Sequence, residues 1–123
     1  MCGIVGAIAE RNVSDILLEG LKRLEYRGYD SAGIALLNSN SGKLSDLKTV
    51  GKVEKLVNSA TKAKLRGNLG IAHTRWATHG KPTVANAHPH NSAKELFIAH
   101  NGIIENYQRL RAILKKDGYS FKT

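Results

Sequence analysis

The chain has 123 residues, 41% of them apolar and 24% charged, enough for one small domain around a single core and short for two. Nineteen Lys and Arg against ten acids give a formal charge of +9, with no acid between Glu54 and Glu95; yet the basic residues are scattered, without a nucleic-acid motif or stacking aromatics, so no nucleic-acid partner is expected. No apolar run reaches the roughly 18 residues of a membrane span, no signal-type start is present, and one cysteine excludes an internal disulfide; the expectation is a cytoplasmic protein with no membrane partner.

In chain order, the apolar run Ile4 to Ala9 reads as a first strand. Asn12 and Ser14 offer helix-capping side chains, and Ile16, Leu17, Leu21 and Leu24 recur at helical spacing, predicting an amphipathic helix that ends by Gly28. The stretch Tyr26 to Ser31 connects it to a strand from Ala32 to Leu37, and an Arg27–Asp30 pair is one structural role open to that connection. Asn38-Ser39-Asn40-Ser41-Gly42 is a turn cluster, so the strand returning from Leu44 to Val50 makes a hairpin. Val53, Leu56, Val57 and Ala60 predict a second helix running to about Lys64 and stopped by Gly67, followed by a strand from Leu69 to Ala77. Thr78 to Glu95 is polar and irregular, the kind of long segment that often covers a site. Leu96 to His100 reads as a buried strand, Tyr107, Leu110, Ile113 and Leu114 as a third helix stopped by Gly118, and Tyr119 to Thr123 as the beginning of an extended segment. Strands and helices in this order suit a layered α+β domain.

Three stretches carry chemistry. Cys2, the only cysteine, directly follows Met1. If Met1 is removed, Cys2 bears a thiol and a free α-amine, and terminal amines titrate low enough to act as bases at neutral pH. The competing role for a lone cysteine is that of a small buried hydrophobe. His100-Asn101-Gly102 sets an amide side chain beside an unhindered backbone N–H at a strand end, a donor pair suited to an oxyanion; an Asn-Gly hairpin turn is the alternative. His73-Thr74-Arg75-Trp76-Ala77-Thr78-His79-Gly80 ends a strand with a guanidinium able to grip a carboxylate, although a solvated arginine and a core tryptophan would look the same. Five histidines raise the question of a metal, but no spacing matches a standard zinc pattern, and no metal is expected.

Met1-Cys2-Gly3-Ile4-Val5-Gly6, Leu24-Glu25-Tyr26-Arg27-Gly28-Tyr29-Asp30-Ser31-Ala32-Gly33, the His73 to Gly80 stretch, Asn86-Ala87-His88-Pro89-His90 and His100 to Asn106 together resemble the class II glutamine amidotransferases of the N-terminal-nucleophile hydrolase superfamily. The Glu25 to Gly33 stretch points within that class to the glutaminase domain of the glutamine–fructose-6-phosphate aminotransferase (isomerizing) family, the glucosamine-6-phosphate synthases. The resemblance implies an α/β/β/α four-layer sandwich with the nucleophile at the start of a central strand, incomplete here at its C-terminal side. Residues 1–123 would be the first part of the glutaminase domain, with its remainder and the sugar-isomerase domains absent.

By the same resemblance Cys2 is the nucleophile, its amine the base, and Asn101 with the Gly102 N–H the oxyanion hole. Arg75 would hold the glutamine α-carboxylate, Trp76, Thr78 and His79 would lie in a loop folding over glutamine, and Arg27 and His88 would stand near the site. The implied reaction is hydrolysis of L-glutamine to glutamate and ammonia through a Cys2 thioester, without a cofactor. In the whole enzyme, a homo-oligomer, the ammonia would convert fructose 6-phosphate to glucosamine 6-phosphate. An acid expected to bind the substrate amine falls beyond Thr123, so an inert fragment, a binding module, or an amidotransferase with another acceptor are the competing expectations, and the chain alone should be weakly active at most.

Overall fold

Period-two alternation gives each strand two faces, and the pairing register decides which residues share one. The computed structural model describes residues 2–25 and 29–123. It pairs β1 (Gly3–Ile8), β2 (Ser31–Asn38), β3 (Lys43–Val50) and β4 (Leu69–Arg75) into an antiparallel sheet of order β1-β4-β2-β3. Val5 and Ala7 share one face with Ala32, Ile34, Leu36, Leu47 and Ala72. The apolar stripes of α1 (Ser14–Leu24) and α2 (Val53–Lys62) close over that face, burying Leu17, Leu21, Val53 and Leu56.

The helix boundaries follow from polar side chains reaching across the fold. Asn12 Oδ1 accepts from the N–H of Ser14 and from that of Gly67, so it ties the start of α1 to the loop before β4. Glu25, just past the end of α1, accepts from the Val53 N–H and caps the first turn of α2. The second helix stops at Lys62 and the chain reverses through Lys64 at φ 51°; Gly67, expected as its stop, instead lies where an added Cβ would meet Leu37 O at 2.8 Å.

The other sheet face carries Ile4, Gly33, Ala35, Ile71, His73 and Arg75 by the same alternation. Residues 86–90 cross it so closely that a Cβ on Gly33 would stand 2.1 Å from His88 O. The segment from Thr78 to Glu95, expected to be irregular throughout, contains a short strand, β5 (His90–Ser92), paired antiparallel with β6 (Leu96–Ile98). This hairpin is hard to read in sequence because its strands have three residues each and its turn places Ala93 and Lys94, rather than Gly or Asn, at positive φ. β6 ends at Ile98, two residues before the expected stop, and residues 119–123 form no strand. α3 (Tyr107–Lys116) buries none of its residues. β1, expected in the interior of a sheet, is an edge strand, because no other described strand pairs with its free side. The α+β class with antiparallel sheets is observed; helices cover one face of the larger sheet, while Ile4 and Ile8 on its second face remain exposed.

The Gly33 contact is backbone against backbone, so no side-chain rotation relieves it. Gly33→Ala should lower stability by about 1–3 kcal/mol, whereas Gly6→Ala, whose Cβ would meet nothing nearer than 4.0 Å, should stay within about 0.5 kcal/mol of the parent. Urea unfolding midpoints compare the two, and equal midpoints would refute this account of Gly33.

Candidate functional site

The register of β1 on β4 sets Gly3 opposite Thr74, and the Gly3 N–H donates to the buried Thr74 Oγ1 at 3.2 Å. Cys2 therefore lies beside the end of β4. The Trp76 N–H donates to Cys2 Sγ at 3.3 Å, and Sγ lies 3.7 Å from Trp76 O. Asn101, distant in sequence, donates from Nδ2 to the Cys2 carbonyl at 2.9 Å. The neighbouring Gly102 has φ 153°, a conformation that L side chains rarely adopt, and a Cβ there would approach the His100 ring at 3.0 Å. Cys2 and Asn101 thus meet at one end of the sheet, with Gly102 next in the chain.

Two histidines support that turn. His73 on β4 is 1% exposed, and its Nε2 lies 2.8 Å from Asn101 Oδ1. The His88 ring stacks on His73 with centroids 4.5 Å apart and planes at 20°, and His88 Nδ1 accepts from the His100 N–H at 3.2 Å. His90 packs against His88 at 4.3 Å. Burial holds all three below the ordinary imidazole pKa. His88 is pushed down to about 3, by burial first and then by His73, His90, Arg75 and Lys48. A neutral His88 is what an Nδ1 acceptor requires.

Arg75 is 8% exposed and directs its fork at backbone. It donates to the carbonyls of His79, Lys81 (3.1 Å) and Gly80 (3.5 Å), and lies 3.8 Å from Asp30 Oδ1. Asp30 also accepts from the Ala77 N–H and from Ser31 Oγ at 3.0 Å, so it braces both sides of Trp76. Trp76 is 41% exposed and meets the edge of Tyr29 at 6.0 Å; Thr78 and His79 are exposed, and the His79 ring lies edge-on to Tyr107 at 6.0 Å. Arg27, expected near the site, lies outside the described residues, and the Arg27–Asp30 pair with it. Among the described residues no cluster of His, Cys, Asp or Glu is arranged to hold a metal ion. Cavities of about 280 and 500 Å³ open at the opposite end of the sheet, around Asn12 and Arg66, and contain none of these side chains.

The motifs left two supports unread, Asp30 as the brace of Ala77 and His73 as the partner of Asn101. Alternation contained the signal for His73, since a residue two before Arg75 on a strand must share its face.

No family model matches the chain. Among curated relatives, the glutamine–fructose-6-phosphate aminotransferase (isomerizing) of Pseudomonas aeruginosa is 62% identical over 121 residues, and that of Escherichia coli 59%; each alignment covers 98% of this chain and 20% of the relative. The chain therefore spans about a fifth of the length of these relatives. A solved structure of the allosteric regulatory enzyme of purine biosynthesis superposes with a TM-score of 0.76 at 30% identity, over 99% of this chain and 26% of that one. Glutamine phosphoribosylpyrophosphate amidotransferase from B. subtilis superposes with a TM-score of 0.76 at 29% identity, over the same shares. Over almost its whole length the chain is similar to glutamine amidotransferases, and its α+β fold is that of the N-terminal-nucleophile hydrolases.

The histidines make stability depend on pH. Between pH 3 and 6.5 the unfolded chain binds a proton at His88 that the folded chain does not, so this contribution to stability is complete above 6.5 and declines as pH falls toward 3. Urea midpoints should fall on acidification through that window, and His88→Gln should flatten the decline. A His88 imidazole found protonated by NMR near pH 6 would contradict the assignment.

Proposed function

We propose that this chain supplies the glutaminase centre of a glutamine-dependent aminotransferase. The observation that carries the reading is the convergence of Cys2, the Asn101 amide and Gly102 at one strand end, in a chain some 60% identical to enzymes named for that reaction.

With Met1 removed, the Cys2 amine takes the thiol proton and sulfur attacks the γ-carboxamide carbon of L-glutamine. The carbonyl oxygen becomes an oxyanion, met by the second N–H of the Asn101 amide and by the Gly102 N–H. The same amine, now protonated, gives its proton to the leaving nitrogen; the C–N bond breaks, ammonia departs and a γ-glutamyl thioester remains. Water, deprotonated by the amine, adds to the thioester, and collapse releases glutamate and returns the proton to sulfur. The Trp76 N–H on Sγ favours the thiolate through this cycle.

On the substrate side, Arg75 orders residues 79–81 and offers its remaining donors to the α-carboxylate, while Trp76, Thr78 and His79 close over the ligand. His88 acts on the His100 turn rather than on glutamine. Fructose 6-phosphate as acceptor and a homo-oligomeric cytoplasmic enzyme are proposed from the likeness to the aminotransferases; the far higher identity to these than to the phosphoribosylpyrophosphate enzyme favours the sugar phosphate as acceptor.

In the whole enzyme, Cys2→Ala should abolish ammonia release, and a glutamine-analogue electrophile should label the parent at Cys2 and leave the variant unlabelled. Asn101→Ala should lower kcat by about a hundredfold or more, as loss of one oxyanion donor does elsewhere, with KM for glutamine little changed. Hydrolysis that persists in Cys2→Ala, or a mature chain that retains Met1, would overturn the proposal.

A further inference from the structure

His73 is an expensive residue to bury. It is 1% exposed, its Nδ1 has no hydrogen-bond partner among the described residues, and an unmet buried acceptor destabilises a fold. Its other nitrogen explains its presence. Asn101 Nδ2 faces the Cys2 carbonyl, which can only accept, so Asn101 Oδ1 must face His73 and can only accept in turn. His73, kept neutral by burial and by Arg75, therefore carries its one proton on Nε2 and donates it to Oδ1. The bare Nδ1 is the consequence of that choice of tautomer.

We propose that His73 is a positioning residue for glutamine hydrolysis, whose Nε2–H locks the Asn101 amide in the one orientation that turns an N–H toward the reacting carbonyl. An Asn side chain free to flip would present Oδ1, a lone pair, to the oxyanion in half of its orientations. The clamp forbids this from both ends, His73 holding Oδ1 and the Cys2 carbonyl holding one N–H of Nδ2. His88 completes it, packing its ring on His73 and fixing the backbone of the same turn through the His100 N–H. This rests on the reading of Asn101 as an oxyanion donor.

The test is a double-mutant cycle in the whole enzyme. His73→Phe keeps a stacking ring and removes the donor; it should lower kcat by about tenfold or more while KM for glutamine stays within about twofold. His73→Gln, whose amide nitrogen reaches the place of Nε2, should recover most of that loss. In an Asn101→Ala background, His73→Phe should change kcat no further. A His73→Phe enzyme with normal kcat, or one that loses as much without the Asn101 amide as with it, overturns the proposal. Should the Phe variant fail to fold, His73→Gln and the imidazole ¹⁵N spectrum decide. Near-parent kcat in the Gln variant and an Nε2–H tautomer in the spectrum support the clamp, whereas impaired Gln turnover or an Nδ1–H tautomer refutes it. An Asn101→Ala enzyme that turns over normally would instead defeat the oxyanion reading itself, and this inference with it.

Discussion

The hydrogen bond from the Asn101 amide to the Cys2 carbonyl joins two segments ninety-nine residues apart, and the geometry of the site depends on it. Cys2 lies at the end of an edge strand, where pairing with β4 ends at Gly3 and Thr74. Such a position frays unless something beyond the ladder holds it. The Trp76 N–H restrains the sulfur from one side and Asn101 restrains the carbonyl from the other. One amide therefore fixes the Cys2 backbone and keeps the Asn101 turn at the same end of the sheet.

On the sheet's second face the His73 imidazole lies under that turn, 2.8 Å from Asn101 Oδ1. Gly33 supplies the room, since any larger residue would collide with the His88 carbonyl and lift the segment carrying His88 and His90 from the sheet. The helix-covered face has no such demand and is filled with Ile34, Leu36, Leu17 and Leu56, as a folding core should be. The apolar core and the polar cluster are thus divided between the two sides of one sheet.

The helix-covered half was legible in the sequence. α1, α2 and the β2–β3 hairpin follow from apolar stripes at helical spacing and from the turn cluster at 38–42, because burial against a sheet rewards that periodicity directly. The motifs singled out Cys2, Asn101 and Gly102 by residue type, and the fold sets Cys2 against Asn101. What pattern could not supply was partnership across the chain. Asp30 reads as a neighbour of Arg27 until the fold sets its carboxylate on the Ala77 N–H and 3.8 Å from Arg75. Glu25 reads as a helix-end charge until it caps α2. The β5–β6 hairpin stays hidden for a local reason, a left-handed Ala-Lys turn between strands too short to show alternation. These features are set by tertiary contacts, which local spacing does not encode.

The electrostatics of the second face explain why arginine stands at position 75. Arg75, Lys48, His73, His88 and His90 gather there, and burial penalises the charged form of every one whose titration is displaced. The three imidazoles answer by staying neutral. A guanidinium has no such recourse, being protonated at any pH a protein meets, so its charge must be met where it stands. Carbonyl oxygens of residues 79–81 and the Asp30 carboxylate meet it. A lysine could shed its proton and let go, and it lacks the planar fork that reaches successive carbonyls at once. The permanent charge is therefore what keeps the loop after Trp76 drawn against the end of β4, beside the sulfur, while the neutral histidines leave the Asn101 turn with a hydrogen-bond pattern that proton exchange near neutral pH does not disturb.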